Sequence, residues 1–370
     1  MGNYRFIVSG GGTGGHIFPA LSIADGLKSR FPDCEILFVG AAGKMEMEKV
    51  PAAGYPIIGL PVAGFHRGEI WRNLGFIPRL IQAMLKANRV VKDFKPDMVI
   101  GVGGYASGPV LRVAARRGIP TVLQEQNSFA GVTNKILGKK AAKICVAYDN
   151  MDRFFPAAKI VFTGNPLRKG LSSITPKSAE AKEYFKCPDD RPVILIVGGS
   201  LGARVLNQSV LANLDLIRSS EVLVLWQTGK YYFHDMEQQL MNNPVSNIRI
   251  LEFCSRMDLA YSLADIVISR AGAGTISELC AVGAASVLVP SPNVSEDHQT
   301  YNALALVEKH AAMMIKDSVA ITELIPAALN LLKQPQSCHE LSVNIKKLAT
   351  PNATEDIVDV IEAILKPKND

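Results

Sequence analysis

Short apolar runs of four to six residues, rich in valine and isoleucine, recur along the whole chain. In the first half they are residues 5–9, 35–39, 98–102, 120–123 and 160–163. In the second half they are residues 193–197, 222–226, 248–251, 266–269 and 285–290. Segments of helical length separate these runs. The alternation predicts an α/β fold in which each half of the chain forms its own parallel sheet.

Several of these runs lack any alternation of apolar and polar positions. Residues 192–197 read Pro-Val-Ile-Leu-Ile-Val and are apolar throughout. Such strands suit a parallel sheet covered by helices on both faces, because neither face then meets solvent. We therefore predict two Rossmann-like, doubly wound parallel-sheet domains facing across a cleft. The turn-rich segment Thr163–Pro166 predicts the boundary between domains 1–164 and 165–350.

The composition narrows the possible classes of protein. Hydrophobic residues make up 48% of the 370 residues and charged residues 20%, which is typical of globular proteins. No apolar run is long enough to span a bilayer, and the first residues lack the order of a signal peptide, so a cytoplasmic protein is expected. The six cysteines are widely spaced, which predicts neither a disulfide framework nor a zinc site. The net charge of +6 is too small for a nucleic-acid-binding protein but suits anionic substrates or an anionic membrane surface.

The first strand run leads directly into a glycine-rich loop, Gly10–His16. Glycines let the backbone approach a ligand closely, and Pro19 suits the first turn of a following helix, whose free N–H groups attract phosphate. The loop also fits the G-x-G-x-x-G pattern of dinucleotide-binding domains. That pattern requires an acidic residue at the end of the second strand, but the run 35–39 ends in Gly40–Ala42. The loop is therefore predicted to bind a polyphosphate, and an NAD-dependent oxidoreductase is a distant alternative.

His16 lies immediately after the glycines. An imidazole titrates near neutral pH, so His16 is a candidate general base for a sugar hydroxyl. The alternative interpretation is a histidine that caps or packs against the helix. Its position at the mouth of a phosphate loop favours the catalytic interpretation.

Further loops that follow strand runs carry polar or small residues. Residues 101–108 contain four glycines in eight positions, more than a tight turn requires, so a second anionic group is expected there. Residues 198–204 add a serine and an arginine to a similar glycine loop. Residues 269–278 open a helix in which the Glu278 carboxylate can accept hydrogen bonds from a ribose diol. Asp297–Asn302 supplies carboxylate and amide groups suited to sugar hydroxyls.

Six motifs, taken together, resemble a known family. They are residues 11–16, 103–109, 124–127, 163–168, 198–204 and 297–303. In this order they resemble the MurG family, within glycosyltransferase family 28, over nearly the whole chain. Members of that family have a two-domain GT-B fold. They move N-acetylglucosamine (GlcNAc) from UDP-GlcNAc to undecaprenyl-pyrophosphoryl-N-acetylmuramoyl-pentapeptide (lipid I), which gives lipid II.

The resemblance implies where the two substrates bind. The carboxyl-terminal domain is expected to hold UDP-GlcNAc, and the amino-terminal domain, completed by a helix at 354–366, is expected to hold lipid I. Glu278 is expected on the ribose, and backbone near Cys254 on the uracil. The implied donor and transferred-sugar residues are Thr13, Gly14, Gly15, Asn127, Arg168, Ser200, Cys254, Ala273, Gly274, Thr275, Ile276, Ser277, Glu278 and Gln299. The implied acceptor-pyrophosphate residues are Gly12, Gly103, Gly104 and Tyr105.

A basic and apolar segment, residues 65–80, lies between the first two glycine loops. The pattern is typical of a helix at a membrane interface, and a partly buried helix with a basic edge explains it equally well. The resemblance favours peripheral binding to anionic phospholipids at the cytoplasmic face of the inner membrane. The implied membrane-facing residues are Phe65, Ile70, Trp71, Arg72, Leu74, Phe76 and Arg79. Other cell-wall or division proteins are further expected partners.

The resemblance implies an inverting transfer that needs no metal or other cofactor. No convincing Asp-x-Asp metal motif follows a strand, so helix N-termini and Arg168 are expected to stabilise the leaving diphosphate. Two alternatives stay open: a UDP-GlcNAc 2-epimerase of the same fold, and a non-catalytic, membrane-docked subunit that binds a nucleotide sugar. No nucleic-acid partner is expected.

Overall fold

The chain folds into two compact units. The computed structural model describes residues 3–62, 76–167, 171, 174–187, 189–199 and 201–365. The first unit comprises Met1–Leu167 and Asn352–Asp370, and the second comprises Arg168–Pro351. The polypeptide therefore leaves the first unit once and returns to it near its end.

The first unit is built on a seven-stranded parallel sheet. Its strands are β1 (Arg5–Ser9), β2 (Glu35–Ala41), β3 (Ile57–Leu60), β4 (Met98–Gly101), β5 (Thr121–Glu125), β6 (Lys143–Val146) and β7 (Ile160–Phe162). They lie in the order β3-β2-β1-β4-β5-β6-β7. The helices that connect them are α1 (Gly14–Arg30), α2 (Glu46–Ala52), α3 (Phe76–Phe94), α4 (Ser107–Arg116) and α5 (Val132–Gly138). Short 3-10 turns at Met151–Arg153 and Ala157–Lys159 precede β7.

Helices bury both faces of this sheet. Successive side chains of a strand point to opposite faces. On one face Ile7 of β1 packs in a cluster with Ala83 of α3, and on the other Phe6 and Val8 pack in a cluster with Ile23 of α1. This two-sided burial explains why the strands are apolar throughout.

The second unit repeats the design with six parallel strands. They are β8 (Val193–Val197), β9 (Leu223–Gln227), β10 (Ile248–Leu251), β11 (Ile266–Ser269), β12 (Ser286–Leu288) and β13 (Met313–Met314), in the order β10-β9-β8-β11-β12-β13. The helices are α6 (Ala179–Tyr184), α7 (Arg204–Ala212), α8 (Leu214–Arg218), α9 (Phe233–Asn242), α10 (Met257–Leu263), α11 (Ala273–Val282), α12 (His298–Val307), α13 (Ala320–Leu332) and α14 (Pro335–Lys346). A 3-10 turn, Ser295–Asp297, precedes α12. The predicted class, two parallel-sheet α/β domains, is confirmed.

Three strands fall outside the runs that the sequence predicts: β3, β6 and β13. β3 and β13 are edge strands, and β6 is next to the edge strand β7. They contain only two to four residues each. Length alone does not distinguish them, because β7 and β12 have only three residues each and lie in predicted runs.

The last helix, α15 (Ala353–Ile364), belongs to the first unit and packs on α1. Ile357 is fully buried in the core cluster that α1 also lines. Arg30, at the end of α1, forms an ion pair of 2.7 Å with Asp359. A Cβ atom at Gly26 would lie 2.7 Å from Cγ2 of Thr354, so the glycine permits the close approach of the two helices.

Candidate functional site

Each sheet has one point at which the strand order reverses. In the first sheet β1 lies between β2 and β4, so the connections after β1 and after β4 leave in opposite directions. β8 and β11 have the same relation in the second sheet. Ligands of open parallel sheets bind beyond the carboxyl ends of the strands at such switch points. Four of the loops selected from the sequence therefore lie in pairs at the two switch points.

The loops after β1 and β4 pack directly on each other. A Cβ atom at Gly104 would lie 2.4 Å from the carbonyl oxygen of Gly11, and one at Gly10 would lie 2.1 Å from Cγ2 of Val102. Gly104 also has a φ of +84°, which side chains disfavour. The glycines expected to admit a ligand thus also bring the two loops together.

Helix α1 begins at Gly14, in the first predicted loop, with Thr13 as its N-cap. Thr13 is extended, and its side chain makes no capping hydrogen bond. The first N–H groups of a helix have no intrahelical acceptor and carry partial positive charge. Apart from the neighbouring residues of the chain, no described atom lies within 4 Å of the place where a Cβ atom of Gly12 would stand. The loop therefore presents an open face and a helix N-terminus that suit an anion.

His16 lies in the first turn of α1, with its ring against the second loop. Its Nδ1 is 3.3 Å from Oγ1 of Thr13. A Cβ atom at Gly103 would lie 3.0 Å from Nε2 of His16, so this glycine makes room for the ring. When Nδ1 carries the proton and donates to Thr13, Nε2 keeps a lone pair that can accept a proton. The local geometry suits a general base, and that role stays a prediction.

A buried carboxylate organises the motif Gln124–Asn127 at the end of β5. Glu125 is 2% exposed and accepts hydrogen bonds from the backbone N–H groups of Asn127 and Gly131, both at 3.1 Å. Nδ2 of Asn134 donates to it at 2.9 Å. Burial raises the pKa of the Glu125 carboxyl above its ordinary value, against the opposing effect of these hydrogen bonds. Asn127, a predicted substrate contact, is thus held by the carboxylate of its own motif.

The structure joins this motif to a second one, Thr163–Arg168, through paired amides. Nε2 of Gln124 donates to Oδ1 of Asn165 at 2.8 Å, and Nδ2 of Asn165 donates to the carbonyl oxygen of Gln126 at 3.0 Å. All three side chains are buried. The asparagine of the second motif therefore braces the first.

The loop after β8 packs on the residues that follow β9. A Cβ atom at Gly202 would lie 2.1 Å from the carbonyl oxygen of Thr228. The Gln227 side chain, 2% exposed, donates to the Gly199 carbonyl oxygen at 2.9 Å and accepts from the Cys254 N–H at 3.3 Å. Burial raises the pKa of the Cys254 thiol to about 11, so the thiol stays protonated. The Cys254 N–H is thus engaged by Gln227, and the backbone contact to uracil stays a prediction.

Helix α11 starts at the same switch point, with Gly272 as its extended N-cap. Apart from its chain neighbours and the backbone of α11 itself, no described atom lies within 4 Å of the place where a Cβ atom of Gly274 would stand. Glu278, in the second turn, is partly buried, and the Tyr261 hydroxyl donates to its Oε2 at 3.0 Å. Ile276 is 2% exposed, so only its backbone can contact a ligand. Tyr261 was not selected from the sequence, because it lies on α10 and resembles an ordinary core tyrosine.

The other predicted donor residues lie at helix starts. Oε1 of Gln299, in the first turn of α12, accepts from the N–H of Ser291 at 2.8 Å. The Ser277 hydroxyl donates to the Ala273 carbonyl oxygen at 2.9 Å. Thr275 is partly buried in the first turn of α11. Seven predicted residues lie outside the described part of the chain: Arg168, Ser200, Phe65, Ile70, Trp71, Arg72 and Leu74.

Helix α3 carries the described part of the predicted membrane-facing segment. Phe76 is partly buried and Arg79 is exposed. Ile77, Ile81 and Leu85 form an exposed apolar row at a spacing of four residues, and each is more than half exposed. No helix among the described residues is both long enough and apolar enough to cross a membrane.

The expectation that no metal is required stays a prediction. Within residues 3–62, 76–167, 171, 174–187, 189–199 and 201–365, no group of three or more His, Cys, Asp or Glu side chains is placed to hold a metal ion.

Comparison with known proteins gives matches along the whole chain. The models of the glycosyltransferase family 28 N-terminal and C-terminal domains match residues 6–146 and 193–357. A UDP-N-acetylglucosamine-N-acetylmuramyl-(pentapeptide) pyrophosphoryl-undecaprenol N-acetylglucosamine transferase from Parabacteroides distasonis is 54% identical over 368 residues, which is 100% of both chains. The crystal structure of Acinetobacter baumannii MurG has a TM-score of 0.78 at 32% identity and covers 98% of this chain and 100% of that one. A Listeria monocytogenes protein described as a UDP-N-acetylglucosamine 2-epimerase has a TM-score of 0.71 at 14% identity and covers 100% of this chain and 98% of that one. At so low an identity, the match shows a likeness of fold alone.

Proposed function

This chain belongs to glycosyltransferase family 28, and on that premise we propose that it transfers GlcNAc from UDP-GlcNAc to lipid I, which forms lipid II. The observation that carries the proposal is the match, at 54% identity over the entire length, to a relative named for this reaction. The 2-epimerase alternative has only a likeness of fold at 14% identity. A non-catalytic subunit is not favoured either, because the relative that matches over the entire length is named as a transferase.

The second unit supplies the donor side of this proposal. The N-terminus of α11 and the open loop at Gly199 offer N–H groups to the diphosphate. The Glu278 carboxylate accepts hydrogen bonds from the ribose hydroxyls, and the Cys254 carbonyl oxygen accepts one from the uracil. Arg168 and Ser200 add contacts to the diphosphate, and Gln299 binds the sugar.

The first unit supplies the acceptor side. The N-terminus of α1, at Gly14 and Gly15, faces the pyrophosphate of lipid I, and the exposed side chain of Tyr105 contacts the same group. Asn127 binds the sugars near the reacting atoms. His16 accepts the proton of the attacking hydroxyl through Nε2.

The proposed reaction is one inverting displacement. The C4 oxygen of the acceptor sugar forms a bond to the anomeric carbon of GlcNAc, while the bond from that carbon to the diphosphate oxygen breaks. UDP leaves with the electron pair, and the hydroxyl proton moves to His16. The N–H groups at the start of α11 stabilise the negative charge that builds on the diphosphate, because they are already oriented toward it.

The function is tested by incubating the purified chain with UDP-GlcNAc, with and without a lipid I analogue. UDP release that depends on the acceptor supports transfer. Epimerised sugar formed without acceptor would support the 2-epimerase instead. Donor binding with no product in either arm would support the non-catalytic subunit.

A lipid-linked acceptor lies in a membrane, so the proposal includes peripheral binding to the anionic cytoplasmic face of the inner membrane. Replacing Ile81 with glutamate is expected to weaken binding to vesicles of anionic phospholipid about tenfold, because it removes an exposed apolar side chain of the row on α3 that the membrane would bury. Co-sedimentation measures the change. The matched control is Leu216→Glu on α8, also exposed, which should bind as the wild type does. Equal losses in both variants would contradict the assignment of the row.

A further inference from the structure

Glu46 is a buried carboxylate that the proposed reaction does not use. It is the first residue of α2 and is 1% exposed. Its Oε2 accepts a hydrogen bond from the Gly12 N–H at 2.9 Å, and its Oε1 accepts one from the Ala41 N–H at 2.8 Å. A single side chain therefore joins the loop after β1 to the end of β2.

The backbone around Glu46 is shaped to receive this carboxylate. A Cβ atom at Gly11 would lie 2.1 Å from Oε1 of Glu46, and one at Gly40 would lie 2.5 Å from its Cγ. Gly11 and Gly12 have φ values of +148° and +92°, a region that residues with side chains rarely adopt. The path of the loop thus depends on packing against Glu46 as well as on the hydrogen bond.

Burying a carboxyl group is unfavourable unless its oxygens are hydrogen-bonded, and both oxygens of Glu46 accept from backbone N–H groups. The bond to Gly12 lies immediately before the Thr13 cap and the first turn of α1. Glu46 is therefore in a position to fix where α1 begins and where His16 lies.

We propose that Glu46 is a positioning residue for the acceptor. It holds the turn at Gly11 and Gly12 so that the N-terminus of α1 and His16 meet the pyrophosphate and the attacking hydroxyl. This inference rests on the proposed function. It also refines one part of it: Gly12, a residue expected at the pyrophosphate, donates its N–H to Glu46. The phosphate oxygens are then bound by the N–H groups at Gly14 and Gly15.

The substitution Glu46→Gln tests this role, since it keeps the size of the side chain but turns an NH₂ group toward one of the two N–H donors. We expect the KM for a lipid I analogue to rise about tenfold and kcat to fall, because one of the two hydrogen bonds is lost and a buried N–H is left without an acceptor. The KM for UDP-GlcNAc should stay within about twofold, since most of the predicted donor residues lie in the other unit. Steady-state kinetics with each substrate varied in turn measure this split.

The matched control is Glu48→Gln, on the same turn of α2, where the side chain is 80% exposed. It should leave both KM values unchanged. Wild-type kinetics in Glu46→Gln, tighter acceptor binding, or equal losses for donor and acceptor would each overturn the proposal. If circular dichroism shows that Glu46→Gln folds poorly, Glu46→Asp replaces it, because the shorter side chain can reach only one of the two N–H groups. The same comparison of the KM for the acceptor with the KM for UDP-GlcNAc then tests the proposal. Failure of the proposed function is recognised separately, by wild-type protein that releases no UDP when acceptor is added.

Discussion

Replacing His16 with alanine is expected to lower acceptor-dependent UDP release by about 10²- to 10⁴-fold, the usual contribution of a general base. The ring lies against Gly103 at the switch point of the first sheet, and Thr13 can hold Nδ1 so that Nε2 accepts the proton. Binding of UDP-GlcNAc should stay within about twofold of wild type, because the predicted donor contacts lie mainly in the second unit. Turnover assays and calorimetric titration of UDP-GlcNAc measure the two quantities.

The matched control for this substitution is His234→Ala, an exposed histidine on α9. It should have wild-type turnover. Thr13→Val removes the oxygen beside Nδ1 and should lower the rate by only a few-fold, since the base itself remains. A His16→Ala variant that turns over at nearly the wild-type rate would exclude His16 as the base and leave it a packing role in α1.

Replacing Glu278 with alanine is expected to raise the KM for UDP-GlcNAc about a hundredfold, the effect of losing charge-assisted hydrogen bonds to the ribose. The carboxylate is partly buried at the second turn of α11, and the Tyr261 hydroxyl fixes one of its oxygens. The KM for the acceptor should change little. Initial rates at varied UDP-GlcNAc, with fixed lipid I analogue, measure the effect.

A graded series separates the ribose contact from a general loss of structure. Glu278→Gln keeps one acceptor oxygen and should fall between alanine and wild type. Tyr261→Phe keeps the Glu278 carboxylate but removes the hydroxyl that donates to its Oε2. The carboxylate is then less well fixed, so the KM for UDP-GlcNAc should rise about threefold. A series in which both substrates lose affinity in parallel would contradict a role confined to the ribose.

The sequence predicted where the glycine loops of each unit lie, because the residues that define each loop are neighbours in the chain. Gly10–His16 and residues 101–108 directly follow strands, and the carboxyl ends of parallel strands lie at one edge of a sheet. A glycine loop between a strand and a helix is therefore expected at that edge of the sheet. The same holds for residues 198–204 and 269–278 in the second unit.

The side chains that brace these loops were missed, for one physical reason. Glu46 follows the end of β2 but acts on the loop after β1, and Tyr261 lies on α10 but acts on α11. Gln227, at the end of β9, joins the loop after β8 to Cys254. Such pairs are set by strand order and helix packing, which a single sequence does not encode in local spacing. A polar residue at a strand end or in a short apolar element is the only signal the sequence offers.

The sequence by itself determined the α/β class, the glycine loops and, through motifs in register, the family, because these depend on patterns within a few neighbouring residues. Only the tertiary structure decided which loops lie in pairs at a switch point, that α15 packs on α1, and that Gly12 donates to Glu46 instead of offering its N–H to a ligand. Those outcomes depend on the order in which strands assemble and on space that distant side chains fill, and both are properties of the packed chain.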